Sequence, residues 1–112
     1  MKEKPLVTVY ITNHNYGRFI DESIKSVLNQ SFKKLELIII DDDSKDNSKK
    51  IINKYANLSN VTTIFQKRKG LAISNNIALK IAKGKYIAFI DSDDLWKKNK
   101  LKTQINIMKK FN

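Results

Sequence analysis

A chain of 112 residues, 41% of them apolar and only one a proline, has room for a single modest hydrophobic core. It contains no cysteine, which rules out disulfides and thiolate metal centres, and no apolar run approaches the roughly 20 residues needed to cross a bilayer. The net charge of +11 admits an anionic partner such as nucleic acid, lipid headgroups or a phosphorylated small molecule. The basic residues are spread in small groups such as Lys49-Lys50 and Lys67-Arg68-Lys69, however, so solvated helix faces account for much of the charge.

Met1 to Pro5 lead straight into a β-rich run and do not read as a signal peptide. The elements then alternate. Leu6 to Thr12 forms a first strand, followed by a loop with Asn13, His14, Asn15 and Gly17. A helix runs from there to Gln30 with Ile20, Ile24, Val27 and Leu28 on one face. Leu35 to Ile40 is a continuous apolar strand stopped by Asp41-Asp42-Asp43-Ser44. Ser44 or Asp46 caps a second helix whose buried side carries Ile51, Ile52 and Tyr55. Val61 to Phe65 is a short third strand near an edge.

Beyond Lys67-Arg68-Lys69-Gly70, a third helix places Ile73, Ile77 and Ile81 at four-residue spacing, and Gly84 is its expected stop. Tyr86 to Ile90 then reads as a buried strand that ends in Asp91, Asp93 and Asp94. A last amphipathic helix carries Leu101, Ile105 and Met108. Strands alternating with helices imply an α/β, Rossmann-like βαβαβαβα unit whose sheet is mostly parallel, with right-handed crossovers.

Two carboxylate clusters, Asp41 to Asp43 and Asp91, Asp93 and Asp94, thus fall at the carboxyl ends of two strands and on one edge of the sheet. Acids also serve as caps and turn residues, but in open α/β sheets this edge is where ligands bind. Oxygen-only donors there suit Mg²⁺ or Mn²⁺ and an anionic ligand. Thr12 and Asn13 close the first strand with small polar groups able to hydrogen-bond a base or ribose.

In order and spacing, four segments resemble the amino-terminal half of a family 2 glycosyltransferase of the GT-A fold. They are Val7 to Asn15, Ser26 to Phe32 with Glu36 to Ser44, Gly70 to Ala78, and Gly84 to Trp96. The resemblance implies that Thr12 and His14 line a nucleotide pocket and that Asp42 hydrogen-bonds a uracil edge. It makes Asp91 and Asp93 the DXD pair, with Asp91 at the ribose, Asp93 on a diphosphate-bound Mn²⁺ or Mg²⁺, and Asp94 able to share the metal. Arg68 and the amino end of the Gly70 helix would add positive potential near the phosphates.

The implied activity is transfer of a sugar from a nucleotide diphosphate sugar, expected to be a UDP-sugar, to a hydroxyl of a glycan or lipid-linked acceptor, with inversion. The implied setting is the cytoplasm, at the inner face of the membrane through peripheral association, with no nucleic-acid partner. The sequence departs from the family at Asp43, where glycine is usual, at Asn75, where arginine is usual, and at Ala78, where glycine is usual. The family domain is roughly twice this size. Residues 1–112 are therefore expected to be one partial domain, the donor-binding half, with the acceptor pocket and general base outside it.

Three other classes compete, one of them nucleic-acid binding through the basic surface, which would weaken steeply with salt and ignore divalent metal. A nucleotide-binding module without turnover fits the same residues. An aspartyl-phosphate phosphatase fits Asp91-Ser92-Asp93, but that chemistry uses the first strand and a threonine or valine where Leu95 stands.

Overall fold

The computed structural model describes residues 4–111. Four strands, Val7–Asn13 (β1), Leu35–Asp42 (β2), Val61–Gln66 (β3) and Tyr86–Phe89 (β4), form one sheet in the order β3-β2-β1-β4. Every pairing is parallel, with Val7 opposite both Leu35 and Tyr86, and Leu37 opposite Val61. The helices are Ile20–Leu28 (α1), Ser48–Asn53 (α2), Leu71–Ile81 (α3) and Lys100–Lys110 (α4). Among the described residues no helix is long and apolar enough to cross a membrane.

Period-two alternation along β1 divides the core. Val7, Val9 and Ile11 join Leu37 and Ile39 of β2 on one face, where Ile20, Ile24 and Val27 of α1, Ile52 of α2, and Leu101 and Ile105 of α4 cover them. Tyr10, Ile38 and Ile40 point to the other face, under Ala78 of α3. Burying each such aliphatic side chain is worth about 1.5–3 kcal/mol against leaving it in water. The larger cluster therefore contributes most of the stability.

Several sequence expectations need correction. β4 is an edge strand, not a buried one: it pairs with β1 alone among the described residues, and Ile87 and Phe89 stay exposed. These two side chains lie on the α3 face, but α3 packs over β1 and β2 and stops short of them. On α3 itself the buried line is Ser74 and Ala78, while Ile73 and Ile81 are exposed. Small residues let the helix approach the sheet closely, and the isoleucine period marks a flank of it.

α3 ends at Ile81, with Ala82 already extended, so Gly84 is not its stop. A Cβ at Gly84 would lie 2.5 Å from the Thr8 nitrogen, and close backbone approach explains this glycine. On α4, Met108 is exposed while Leu101 and Ile105 are buried. α1 stops at Leu28 rather than Gln30. At α2, the Ser48 amide donates to Asp46 Oδ1, whereas Ser44 turns back to Asp41.

Candidate functional site

Parallel pairing sends the ends of β1, β2 and β4 to one edge, and the loops beyond them enclose an open cleft of about 370 Å³. Thr12, Asn13, His14, Asp42, Arg68, Asp91 and Asp93 all line it. Every residue expected from the sequence at the nucleotide, and the Arg68 expected at the phosphates, is therefore in one place. Asp94 is not: it lies outside this lining and its Oδ1 accepts a hydrogen bond from the Leu95 amide.

The three acids at the end of β2 divide their work by direction. Asp41 is fully buried; its carboxylate accepts from Asn13 Nδ2 at 2.9 Å and from the Ser44 hydroxyl and amide at 2.7 and 3.0 Å. The Ser44 hydroxyl also accepts the Asn15 amide, and Lys45 donates its amide to Asn15 Oδ1, so the loops after β1 and β2 are stitched together. Asp43 occupies the left-handed region at φ 61°, as expected of a position where the family prefers glycine.

Asp42 faces the cleft. Its Oδ1 accepts from the Lys69 amide at 2.8 Å and Gln66 Nε2 at 3.1 Å, and its Oδ2 from the Gly70 amide at 3.0 Å and Arg68 Nη1 at 3.1 Å. Burial by itself would raise its pKa, but the Lys69 amide, Gln66, the Gly70 amide and the Arg68 charge together outweigh it. The carboxyl is held below its usual range.

His14 Nδ1 lies 2.6 Å from the Asp42 carbonyl oxygen, which requires Nδ1 to carry the proton and donate. Its Nε2 lies 3.2 Å from Asn15 Nδ2, so the ring is fixed in orientation at the cleft wall. Tyr16, Leu71, Ser74 and Ser92 complete the lining and were not singled out from sequence. A signal existed for Ser74: it lies one turn beyond Gly70 and one turn before Ala78, and its hydroxyl donates to the Gly70 carbonyl while accepting from Gln66.

Asp91 and Asp93 stand exposed on the opposite wall, and among the described residues neither carboxylate has a hydrogen-bond or ion-pair partner. No group of three acidic, histidine or cysteine side chains is gathered there or elsewhere among the described residues. The donor set nonetheless fits a hard cation shared with a ligand, since such ions are commonly bound by one or two carboxylates plus substrate phosphates.

The model of glycosyl transferase family 2 matches residues 8–112. The chain belongs to that family. It is 43% identical over 103 residues to the Escherichia coli UDP-Glc:alpha-D-GlcNAc-diphosphoundecaprenol beta-1,3-glucosyltransferase WfaP, covering 92% of this chain and 41% of the relative. The Staphylococcus aureus TarS fragment 1–349, solved in complex with UDP-GlcNAc, superposes with a TM-score of 0.84 at 30% identity, over 93% of this chain and 31% of that one. The Pyrobaculum calidifontis mannosyltransferase PcManGT, solved with GDP-Man and Mn²⁺, gives a TM-score of 0.75 at 28% identity, over 84% and 29%. The fold is that of the GT-A transferases. The chain spans between 14% and 42% of the length of curated relatives it matches, 41% in the case of WfaP.

Proposed function

We propose that this family 2 chain is the donor-binding part of a glycosyltransferase that takes its sugar from a UDP-sugar and passes it to an acceptor hydroxyl in surface-glycan synthesis. One observation carries the reading: Thr12, His14 and Asp42 on one wall and Asp91 and Asp93 on the other line the same cleft at the carboxyl edge of the sheet. The fixed His14 ring offers a stacking face for a base, and Asp42 an acceptor for the uracil N–H once Arg68 gives up its place on Oδ2. Thr12 lies beside them. Asp91 is assigned to the ribose and Asp93 to the diphosphate side. Asp93 would hold Mn²⁺ or Mg²⁺ there, with Asp94 outside the cleft lining and turned to the Leu95 amide, and such an ion supplies neutralisation of the charge that develops on the departing diphosphate.

In the reaction the acceptor oxygen bonds to the anomeric carbon from the face opposite the leaving group. The bond from that carbon to UDP breaks with its electron pair on UDP, and the hydroxyl proton passes to a base outside residues 1–112. The lipid-linked acceptor in the name of WfaP supports a similar acceptor here, and with the charge of +11 it supports peripheral association with the inner membrane face. A second reading, a nucleotide-binding unit without turnover, fits the same cleft residues.

Calorimetric titration of UDP with and without Mn²⁺, with GDP as competitor, tests the proposal. Mn²⁺-dependent binding that prefers UDP is the expected result. Folded protein that binds neither nucleotide, or binds GDP equally well, overturns the UDP assignment.

A further inference from the structure

The buried side of α1 carries a polar stripe that hydrophobic packing does not account for. Ser23 on α1 and Gln30, two residues past its end, are both fully buried, and Ser26, between them on α1, is half-buried. Polar groups buried on a helix cost free energy unless they are paired, and here their partners lie mostly in the segment that follows β4. The Ser23 hydroxyl is shared between the carbonyl oxygens of Ser92, at 2.8 Å, and Asp94, at 2.5 Å. The Ser26 hydroxyl accepts the Trp96 amide at 3.2 Å. Gln30 donates Nε2 to the Lys97 carbonyl at 2.7 Å and accepts the Leu101 amide on Oε1 at 3.0 Å, and the Ser31 amide donates to the Lys98 carbonyl.

Every one of these contacts falls on main chain, and the two from Ser23 flank Asp93. Ser92 is buried against the helix, while Asp91 and Asp93 on either side of it project into the cleft without a partner among the described residues. The turn's internal bonds, from the Asp94 amide to the Asp91 carbonyl and from the Leu95 amide to Asp94 Oδ1, are little to hold a loop with unengaged like charges at its tip in one shape. α1 supplies that shape from behind.

We infer that Ser23, backed by Ser26 and Gln30, is a positioning residue that fixes the Asp91–Asp94 turn and so sets how well the acidic pair meets a diphosphate with its cation, without touching the ligand. This deepens the donor-binding reading and rests on it for the identity of the ligand.

The test compares the 112-residue chain with its Ser23→Ala variant, which removes one oxygen from a position where alanine is the better helix former. Amide hydrogen exchange at Asp94, whose N–H donates to the Asp91 carbonyl, and at Trp96 is expected to quicken about tenfold, with Ile38 and Ile39 unchanged. Affinity for UDP with Mn²⁺ is expected to fall about 3- to 10-fold, the scale of one hydrogen bond, while affinity for uridine stays within about twofold. Unaltered exchange at Asp94 and Trp96 overturns the inference, as does an equal loss for uridine and for UDP with Mn²⁺. If the unmodified chain binds neither ligand, the donor-binding reading fails, and exchange alone then decides whether Ser23 holds the turn.

Discussion

The guanidinium of Arg68 stands 3.1 Å from the carboxylate of Asp42. The residue assigned to the donor's phosphates is thus paired with the residue assigned to its base. The Arg68 side chain is 56% exposed while that of Asp42 is 5% exposed, so the pair joins a fixed acceptor to a cation that can leave it.

The two members should separate in binding experiments. Arg68→Ala is expected to lower stability by about 1 kcal/mol, because the Lys69 and Gly70 amides and Gln66 still hold the buried Asp42 carboxylate, and to weaken UDP more than uridine. Asp42→Ala strips four donors of their acceptor and should cost about 1–3 kcal/mol, weakening UDP and uridine by the same factor. Titration of both ligands into both variants checks this. Equal losses in Arg68→Ala would mean that Arg68 serves only Asp42.

Acid should destabilise the fold through identified carboxylates. Asp42 is held below its usual range for the reasons given above. Asp21 is lowered first by the hydrogen bond from the Tyr55 hydroxyl, against some burial, and further by Lys25 and Lys54. A carboxyl depressed in the folded state contributes stability that is complete above its unfolded value, about 4. That contribution is lost as pH falls through the folded value. Urea midpoints should therefore be level from about pH 7 to 5 and fall below about 4, and Asp42→Asn should shrink the fall. A midpoint at pH 3 equal to that at pH 7 would contradict both assignments.

Asp43 gives a sharper case, because its backbone has φ 61°. Asp43→Gly is expected to be neutral or to stabilise by up to about 1 kcal/mol, because relief at the positive φ offsets the loss of the exposed ion pair with Lys45 and of the weaker contributions from Lys49 and the Arg68 amide. Asp43→Val, β-branched in the left-handed region, should lose about 1–2 kcal/mol. Chemical denaturation of the two variants decides it.

The order of elements along the chain and the shared edge of the two carboxylate clusters were legible because period, strand ends and parallel crossovers follow from short stretches of sequence, while the resemblance to family 2 glycosyltransferases put Thr12, His14, Asp42, Asp91 and Asp93 at one pocket. Burial was less so. Ile87, Phe89, Ile73 and Ile81 are as apolar as any core residue, and only the lateral placement of α3 over β1 and β2 leaves them exposed. The Ser23 and Gln30 contacts were illegible for a related reason: a polar residue on a helix looks solvent-facing until the segment 67 to 71 positions later folds against it.

Gly84 illustrates the same point and yields a prediction. The nearest atoms to an added Cβ belong to the Thr8 and Val7 backbone, at 2.5 and 2.7 Å, and cannot swing aside. Gly84→Ala should push the start of β4 away from β1, where Tyr86 donates its amide to the Leu6 carbonyl. A loss of about 1–3 kcal/mol is expected. An unchanged urea midpoint would show that the two strands can part there at no cost.

Asp93 is the residue whose removal separates fold from ligand chemistry most cleanly. Its carboxylate is exposed and has no partner among the described residues, so Asp93→Ala forfeits no folded-state contact, and its urea midpoint should match that of the unmodified chain. If the acid wall holds a cation against the donor's diphosphate, the variant should lose the gain in UDP affinity that Mn²⁺ confers while binding uridine as before. Titrations of UDP and uridine, each with and without Mn²⁺, provide the readout. A folded variant whose UDP affinity still rises with Mn²⁺ would move the cation to other ligands and leave Asp91 and Asp93 without the assigned role. Loss of uridine binding as well would instead mean that the two walls of the cleft are coupled, with the acidic turn helping to shape the base pocket formed by Thr12, His14 and Asp42.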